Sequence, residues 1–304
     1  MHDAVVRQQR LALALVWVVP ALWSVNFIAA RWAVGVIGPH VLALGRWAVA
    51  GAVLVLLARS ELWRQRSHIR VAWRQYLVLG VLGMLICGAW VYQGARSTSA
   101  TNIGLIYAIA PVLIVLGGSL WLQERMTLRQ RCGVALALGG VAHVVIKGQW
   151  ASLVSLQFVA GDLWILAATV SWAGYALLQK VWSTPLGATA RLAAICVGGT
   201  VALLPFALWE ATQPGLNLWN AQALGLVLLT AALPGLGAYW IYGWAQKVLG
   251  ANRVAMALYL GPLYGGLAAW LALGETPGWH HLGGAALIIP GVVMVTAPVR
   301  ARAV

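Results

Sequence analysis

The sequence predicts an all-α polytopic membrane protein, with ten transmembrane helices in two five-helix repeats of inverted topology. Three observations predict it. Of 304 residues, 62% are hydrophobic and only 9% are charged, whereas a soluble domain carries about 25% charged residues. The apolar residues gather into ten blocks, and the second half of the chain echoes the first. So little charge cannot coat a soluble protein of this size, which excludes a soluble enzyme, a disordered chain and a secreted disulfide scaffold.

The ten blocks run at about 11–34, 39–58, 75–95, 100–122, 131–147, 160–181, 189–209, 221–245, 252–273 and 282–299, close to the roughly 20 apolar residues that one span needs. The first has the basic start of a signal peptide, Arg7 and Arg10, but its apolar run continues past Ser24 to Ala30. No A-x-A-like site follows, so it reads as a retained helix. Most blocks are apolar all round, as buried or lipid-facing helices are. Pro20, Pro111, Pro205, Pro234, Pro262 and Pro290 punctuate them; in a bundle, neighbouring helices can satisfy the carbonyls that proline frees. The longest connection, Arg59 to Arg74, is basic and amphipathic and is expected to lie along the headgroups with Trp63 and Trp73 at the interface.

The net charge of +14 suggests nucleic acid until its placement is read. With the N-terminus inside, the basic residues fall in alternate segments, among them Arg7 and Arg10, Arg59 to Arg74, Arg125 to Arg131, Lys180 and Arg191, Lys247 and Arg253, and Arg300 and Arg302. That is the positive-inside pattern, with both termini cytoplasmic, and it removes nucleic acid as a partner. Cys87, Cys132 and Cys196 show no metal-ligand or redox spacing and read as packing residues. No Walker, GxGxxG or HExxH motif occurs, so neither an enzyme nor a cofactor is expected.

The internal repeat is found by sliding the halves past one another. At one fixed offset Ala100 meets Ala251, Pro111 meets Pro262, Glu124 meets Glu275, Gly133 meets Gly284 and Gly140 meets Gly291. Upstream, after a one-residue gap, Trp90 and Tyr92 meet Trp240 and Tyr242. The repeats are therefore 1–158 and 159–304. An odd number of helices per repeat inverts the second copy, a common build of secondary transporters with the substrate site near the midplane.

The run PVLIVLGGSLWLQERMTLRQRCGVALALGGVAHVV and its echo GPLYGGLAAWLALGETPGWHHLGGAALIIPGVVMV resemble EamA-type proteins of the drug/metabolite transporter superfamily. Within that superfamily the chain is most similar to YddG-type exporters of aromatic and other amino acids. The resemblance implies a bacterial inner-membrane carrier whose helices 1–4 and 6–9 surround a central cavity, with helices 5 and 10 outside it.

Candidate transport residues follow from what the spans contain. All six acids, Asp3, Glu61, Glu124, Asp162, Glu210 and Glu275, lie at block ends or in loops. A coupling ion usually needs an ionisable group in mid-membrane, so uncoupled, facilitative export is expected. Glu124 and Glu275 read as acceptors for the start of the following helix, and His143 as a packing residue. Arg31 can snorkel to the interface. Arg46 lies deeper, as a snorkelling or carbonyl-bonded residue, a gate, or a contact for a substrate carboxylate. Trp23, Asn26, Trp90, Tyr92, Gln93, Trp164, Trp172, Tyr175, Gln179, Tyr239 and Tyr242 are candidates to line the cavity, because polar side chains within spans face the interior. Packing and interfacial belts compete for the same residue types. Such a lining suits amino acids, aromatic ones first, as the small-molecule substrate. A multidrug or other metabolite exporter, a lipid flippase and a membrane enzyme are the alternatives. Cationic drugs fit poorly, since their carriers in the superfamily depend on a membrane-embedded Glu.

Overall fold

The computed structural model describes residues 2–98, 100–123, 126–213, 220–274 and 276–297. Glu124 and Glu275, read above as helix-start acceptors, lie outside the described residues, and so does the side chain of Arg31. The chain forms α1 (His2–Ala33), α2 (Pro39–Arg64), α3 (73–95), α4 (100–121), α5 (Leu128–Val145), α6 (Ala160–Val181), α7 (Ala188–Ala211), α8 (221–249), α9 (251–273) and α10 (Trp279–Thr296). Among the described residues nine helices are long and apolar enough to cross a membrane. The remaining one, α5, has eighteen residues and carries Arg129, Arg131 and His143. The basic connection after α2 is not a plain loop. Helix α2 runs on to Arg64, and one short helix, Arg66–Val71, precedes α3. Trp63 and Trp73 are exposed there, each beneath an arginine guanidinium (Arg66 and Arg74).

Local chemistry sets the helix ends. Thr127 and Gln130 form a reciprocal capping box at the start of α5. The Asn220 side chain accepts from Ala223 N (2.6 Å) at the start of α8. Gly250, at φ +90°, turns the chain between α8 and α9, a conformation that L side chains rarely adopt. Helices α4 and α9 are broken at equivalent places. Pro111 and Pro262 stand in the first turn of the second part of each, where the missing N–H costs nothing.

The two halves share one further irregularity. Helix α3 is π-helical over Val81–Trp90, and α8 over Ala231–Ala238. A π-helical stretch leaves the regular i→i−4 pattern, and in hydrocarbon every freed carbonyl needs a partner within the protein. Ser171 Oγ of α6 donates to Leu82 O (2.8 Å), and Tyr239 Oη of α8 donates to Gly83 O (2.8 Å). The second half thus satisfies the irregular backbone of the first.

Packing follows an approximate two-fold relation. The most extensive helix pairs are α5 with α10 and α2 with α7, each a helix with its counterpart in the other half. In the first pair, Gly133 aligns in sequence with Gly284, and Gly140 with Gly291. In space the partners cross over: a methyl group on Gly133 would lie 2.7 Å from Gly291 O, and one on Gly284 would lie 3.1 Å from Gly140 O. That crossed pairing is the mark of an isologous contact, and small residues let the two backbones meet in a membrane.

The α2–α7 pair is closed reciprocally by acids. Glu210, near the end of α7, accepts from His40 N (2.7 Å) and Val41 N (2.9 Å) at the start of α2, and its other oxygen meets His40 Nδ1 at 3.2 Å. Glu61, near the end of α2, accepts from Gly187 N (2.6 Å) at the start of α7. Each carboxylate occupies the positive end of the opposite helix.

The glycine contact has a measurable consequence. Gly291→Ala puts a methyl 2.6 Å from Gly133 O, whereas a methyl on Gly139, in the same interface helix, meets nothing within 4 Å. Gly291→Ala should destabilise the purified protein by about 1–3 kcal/mol through overpacking. Gly139→Ala should be neutral or stabilising by up to about 1 kcal/mol. Thermal unfolding in detergent measures both, and equal effects would mean that the α5–α10 contact is not backbone to backbone.

Candidate functional site

The centre of the bundle, between α1, α2, α6 and α8, is filled by aromatic rings. Trp23 of α1 meets Trp172 of α6 edge-on at 5.2 Å and Tyr242 of α8 at 5.4 Å. Trp172 stacks on Tyr175 at 5.3 Å and contacts Tyr239 and Tyr242 at 5.4 and 5.2 Å. The cluster forms because i, i+3 spacing places Trp172 and Tyr175, and likewise Tyr239 and Tyr242, on one face of each helix. Aromatic pairs add about 0.5–1.5 kcal/mol each beyond burial. Trp47 of α2 extends the cluster, edge-on to Tyr239 at 4.7 Å.

Beside these rings lies a polar layer. Tyr92 Oη donates to Asn26 Oδ1 (2.7 Å), and Arg46 Nη1 donates to the same oxygen (3.2 Å). The Arg46 guanidinium sits 4.5 Å from the Trp47 ring centre and 5.8 Å from that of Tyr239. The residue is 5% exposed, so these cation–π contacts are desolvated and worth about 2 kcal/mol. Among the described residues no carboxylate pairs with Arg46.

Several buried polar atoms here have no protein partner: Arg46 Nε, Trp47 Nε1, Trp172 Nε1 and Tyr242 Oη. All four can donate. Buried polar groups are hydrogen-bonded in the great majority of cases, so four such donors close together are unusual.

The remaining candidates lie outside this cluster. Trp90 of α3 and Trp164 of α6 form an edge-on pair at 5.0 Å, with Trp164 38% exposed. Gln93 Oε1 receives a long bond from Arg96 Nη1 (3.5 Å). Near this end of the bundle Asp162, at the start of α6, accepts from Thr98 Oγ1, Asn102 Nδ2 (2.8 Å) and Val159 N (2.9 Å). It therefore acts as a tether between α6 and the α3–α4 connection. At the opposite end Gln179 lines a cleft with Ala188, Arg191, Leu192, Tyr239, Trp240, Gly243 and Lys247. Where the resemblance implies a cavity, the rings are in contact with one another, and this cleft has room for about one water molecule.

Trp47, Trp240, Arg191 and Lys247 are not among the cavity candidates that the sequence offers. Trp47 could have been found from its place beside Arg46. The two cations carried a signal that also reads as membrane topology, and only the approach of α7 to α8 brings them to one cleft.

The sequence profile of the EamA-like transporter family matches this chain twice, over residues 10–146 and 159–297. The protein is 26% identical over 278 residues to the "Uncharacterized transporter YyaM" of Bacillus subtilis, covering 90% of either chain. It is 29% identical over 273 residues to a Streptantibioticus cattleyicolor protein named "Probable terminal-alkyne amino-acid exporter", covering 90% of this chain and 89% of that one. A solved crystal structure superposes with a TM-score of 0.76 at 20% identity, covering 94% of this chain and 96% of its own, a likeness of fold alone.

The polar layer yields a prediction. Asn26→Ala removes the acceptor shared by Arg46 and Tyr92. It should lower stability by about 1–3 kcal/mol, the cost of leaving a buried donor unmet, and Tyr92→Phe should cost less. An unchanged unfolding midpoint for Asn26→Ala would show that Arg46 is held by other groups.

Proposed function

Because the chain belongs to the EamA-like transporter family and is a multi-pass membrane transporter, we propose that it exports amino acids, aromatic ones foremost, out of the cytoplasm by uncoupled alternating access between the halves 1–158 and 159–304. The observation that carries this reading is the central cluster of aromatic faces with its four donors that have no protein partner and an arginine that meets no acid among the described residues. Aromatic rings accept a flat apolar side chain, while indole N–H groups and a guanidinium offer hydrogen bonds to a carboxylate. A cationic solute finds no such match, because the buried charge at the centre is itself positive. The amino-acid exporter among the relatives supports the same class of substrate.

In this reading Trp23, Trp172, Tyr175, Tyr239 and Tyr242 enclose the apolar part of the substrate, and Asn26, Tyr92 and Arg46 face its carboxylate. Trp90, Gln93 and Trp164 stand on the path to one face and Gln179 on the path to the other. Uncoupled transport is supported by the position of the acids. Glu61, Asp162 and Glu210 each accept backbone N–H bonds at a helix start, which commits them to structure rather than to carrying a proton. The distribution of Arg and Lys supports an inner-membrane orientation with both termini cytoplasmic.

Counterflow in proteoliposomes tests the proposal. L-Tryptophan and L-phenylalanine should exchange saturably and with trans-stimulation, and an imposed proton gradient should drive no uphill accumulation. Trp172→Ala, with the protein still inserted, should lower kcat/KM about tenfold or more, since it removes several ring contacts of about 0.5–1.5 kcal/mol each. Exchange of cationic drugs without amino acids, or unchanged kinetics in Trp172, Tyr175 and Tyr242 variants, would overturn it.

A further inference from the structure

The walls of the cleft beside Gln179 have a chemistry of their own. It lies where the end of α6, the start of α7 and the end of α8 converge, on the face that also holds the Glu61–Gly187 contact. Two of its lining residues are cationic, Arg191 and Lys247, and none is acidic. Arg191 is buried, at 6% exposure. Its Nη2 donates to Trp182 O (2.8 Å), while its Nε is buried with no partner. Gln179 Nε2 is likewise buried and unpaired. Lys247 Nζ donates to Leu186 O (2.9 Å), and Trp240 Nε1 donates to Thr189 Oγ1 (3.0 Å). The acid in electrostatic reach is Glu61, which acts on Lys247 but is held by Gly187 N. Arg191 and Gln179, each with a buried donor that has no protein partner, line the same opening as Tyr239 of the central cluster.

We infer that this cleft is a carboxylate-binding vestibule, in which Arg191 and Gln179 supply the hydrogen bonds and Lys247 the flexible electrostatic wall, so that a solute's carboxylate is captured here before its side chain reaches the aromatic centre. Buried charge without a counter-ion is costly, and an incoming carboxylate offsets that cost with charge-assisted bonds. The Lys247 side chain is exposed and its four-carbon stem can swing aside, which would widen an opening with room for about one water. The device belongs to one face. Helices α2 and α7 begin at Pro39 and Ala188, and Trp90 corresponds to Trp240. By these registers the counterparts of Arg191 and Lys247 in the other half are Leu42 and Ser97, which are uncharged. The cations Arg191 and Lys247 therefore have no charged counterparts at the positions that the repeat makes equivalent. This deepens the amino-acid reading by giving the carboxylate a first point of contact, and it rests on that reading for its purpose.

Its test does not depend on transport. A methyl group at Gly243, on the cleft wall, meets only Gln179 Oε1 at 3.6 Å, so Gly243→Cys should be accommodated; should it not fold, Ala188→Cys takes the same measurement. In a Cys132→Ser background, purified full-length protein is labelled with anionic sulfonatoethyl and cationic trimethylammonioethyl methanethiosulfonates. The chain without the introduced thiol serves as blank. The anionic reagent should react about tenfold faster than the cationic one, the lower end of electrostatic steering. Sodium benzoate should slow labelling while neutral benzamide should not. In Arg191→Gln and Lys247→Gln variants both the rate preference and the benzoate protection should collapse. Equal rates for the two reagents, a preference that survives both substitutions, or equal protection by benzamide would overturn the inference. A protein that exchanges no amino acid yet shows the anion preference would refute the transport reading and leave the vestibule standing.

Discussion

Inside a bilayer, a polar group must find its hydrogen-bond partner within the protein, and most of this structure can be followed from that single requirement. It makes the chain helical. It makes the ends of α2 and α7 meet, since Glu210 and Glu61 each supply acceptors to the other helix's first N–H groups. It also joins the halves at their centre. The π-helical part of α3 could not stand alone in hydrocarbon, and its carbonyls at Leu82 and Gly83 are met by Ser171 and Tyr239 from the second half. Tyr239 thereby does two things. Its hydroxyl holds irregular backbone, and its ring forms a wall of the aromatic cluster. Opening the centre must therefore cost or exchange backbone hydrogen bonds, which couples the packing of the rings to the geometry of α3.

The approximate two-fold relation supplies a frame rather than a site. Glycine pairs let α5 and α10 meet backbone to backbone, and the paired breaks at Pro111 and Pro262 repeat in both halves. The residues of the centre and the cleft follow the relation only in part: Tyr92 and Tyr242 are repeat counterparts, and others are not. Arg46 and Trp47 belong to the first half, Trp172 and Tyr175 to the second, and Arg191 with Lys247 to one face alone. A symmetric frame can adopt equivalent conformations toward either side of a membrane, while an unsymmetric lining can make those sides unequal to a charged substrate.

Much of the frame was legible in the sequence. Nine of the ten apolar blocks fall on described helices long and apolar enough to cross a membrane, because lipid demands length and apolarity of each span, although α1 begins well before its block, at His2. The repeat could be read from matched Pro, Gly and aromatic residues, which chance apolar similarity does not reproduce. The π-helical segments cannot be told from ordinary span by composition, since both are simply apolar. The end of α2 was also placed too early, as amphipathic helix and headgroup-bound loop share one composition.

What the sequence by itself determined is the solvent of this protein, the series of its apolar segments, the uneven spacing of its basic residues and the place of its six acids at segment ends or in loops. What only the tertiary structure decided is which aromatic and cationic residues meet. Trp23, Trp172, Tyr239 and Tyr242 join one cluster while Trp90 and Trp164 pair elsewhere, although all six are Trp or Tyr within apolar helices. Arg191 and Lys247 read as topology in one dimension and line a common cleft in three. The reason is physical: hydropathy specifies that a helix is in the membrane, but the face it turns inward depends on the packing of glycines, π-segments and caps between helices far apart in the chain.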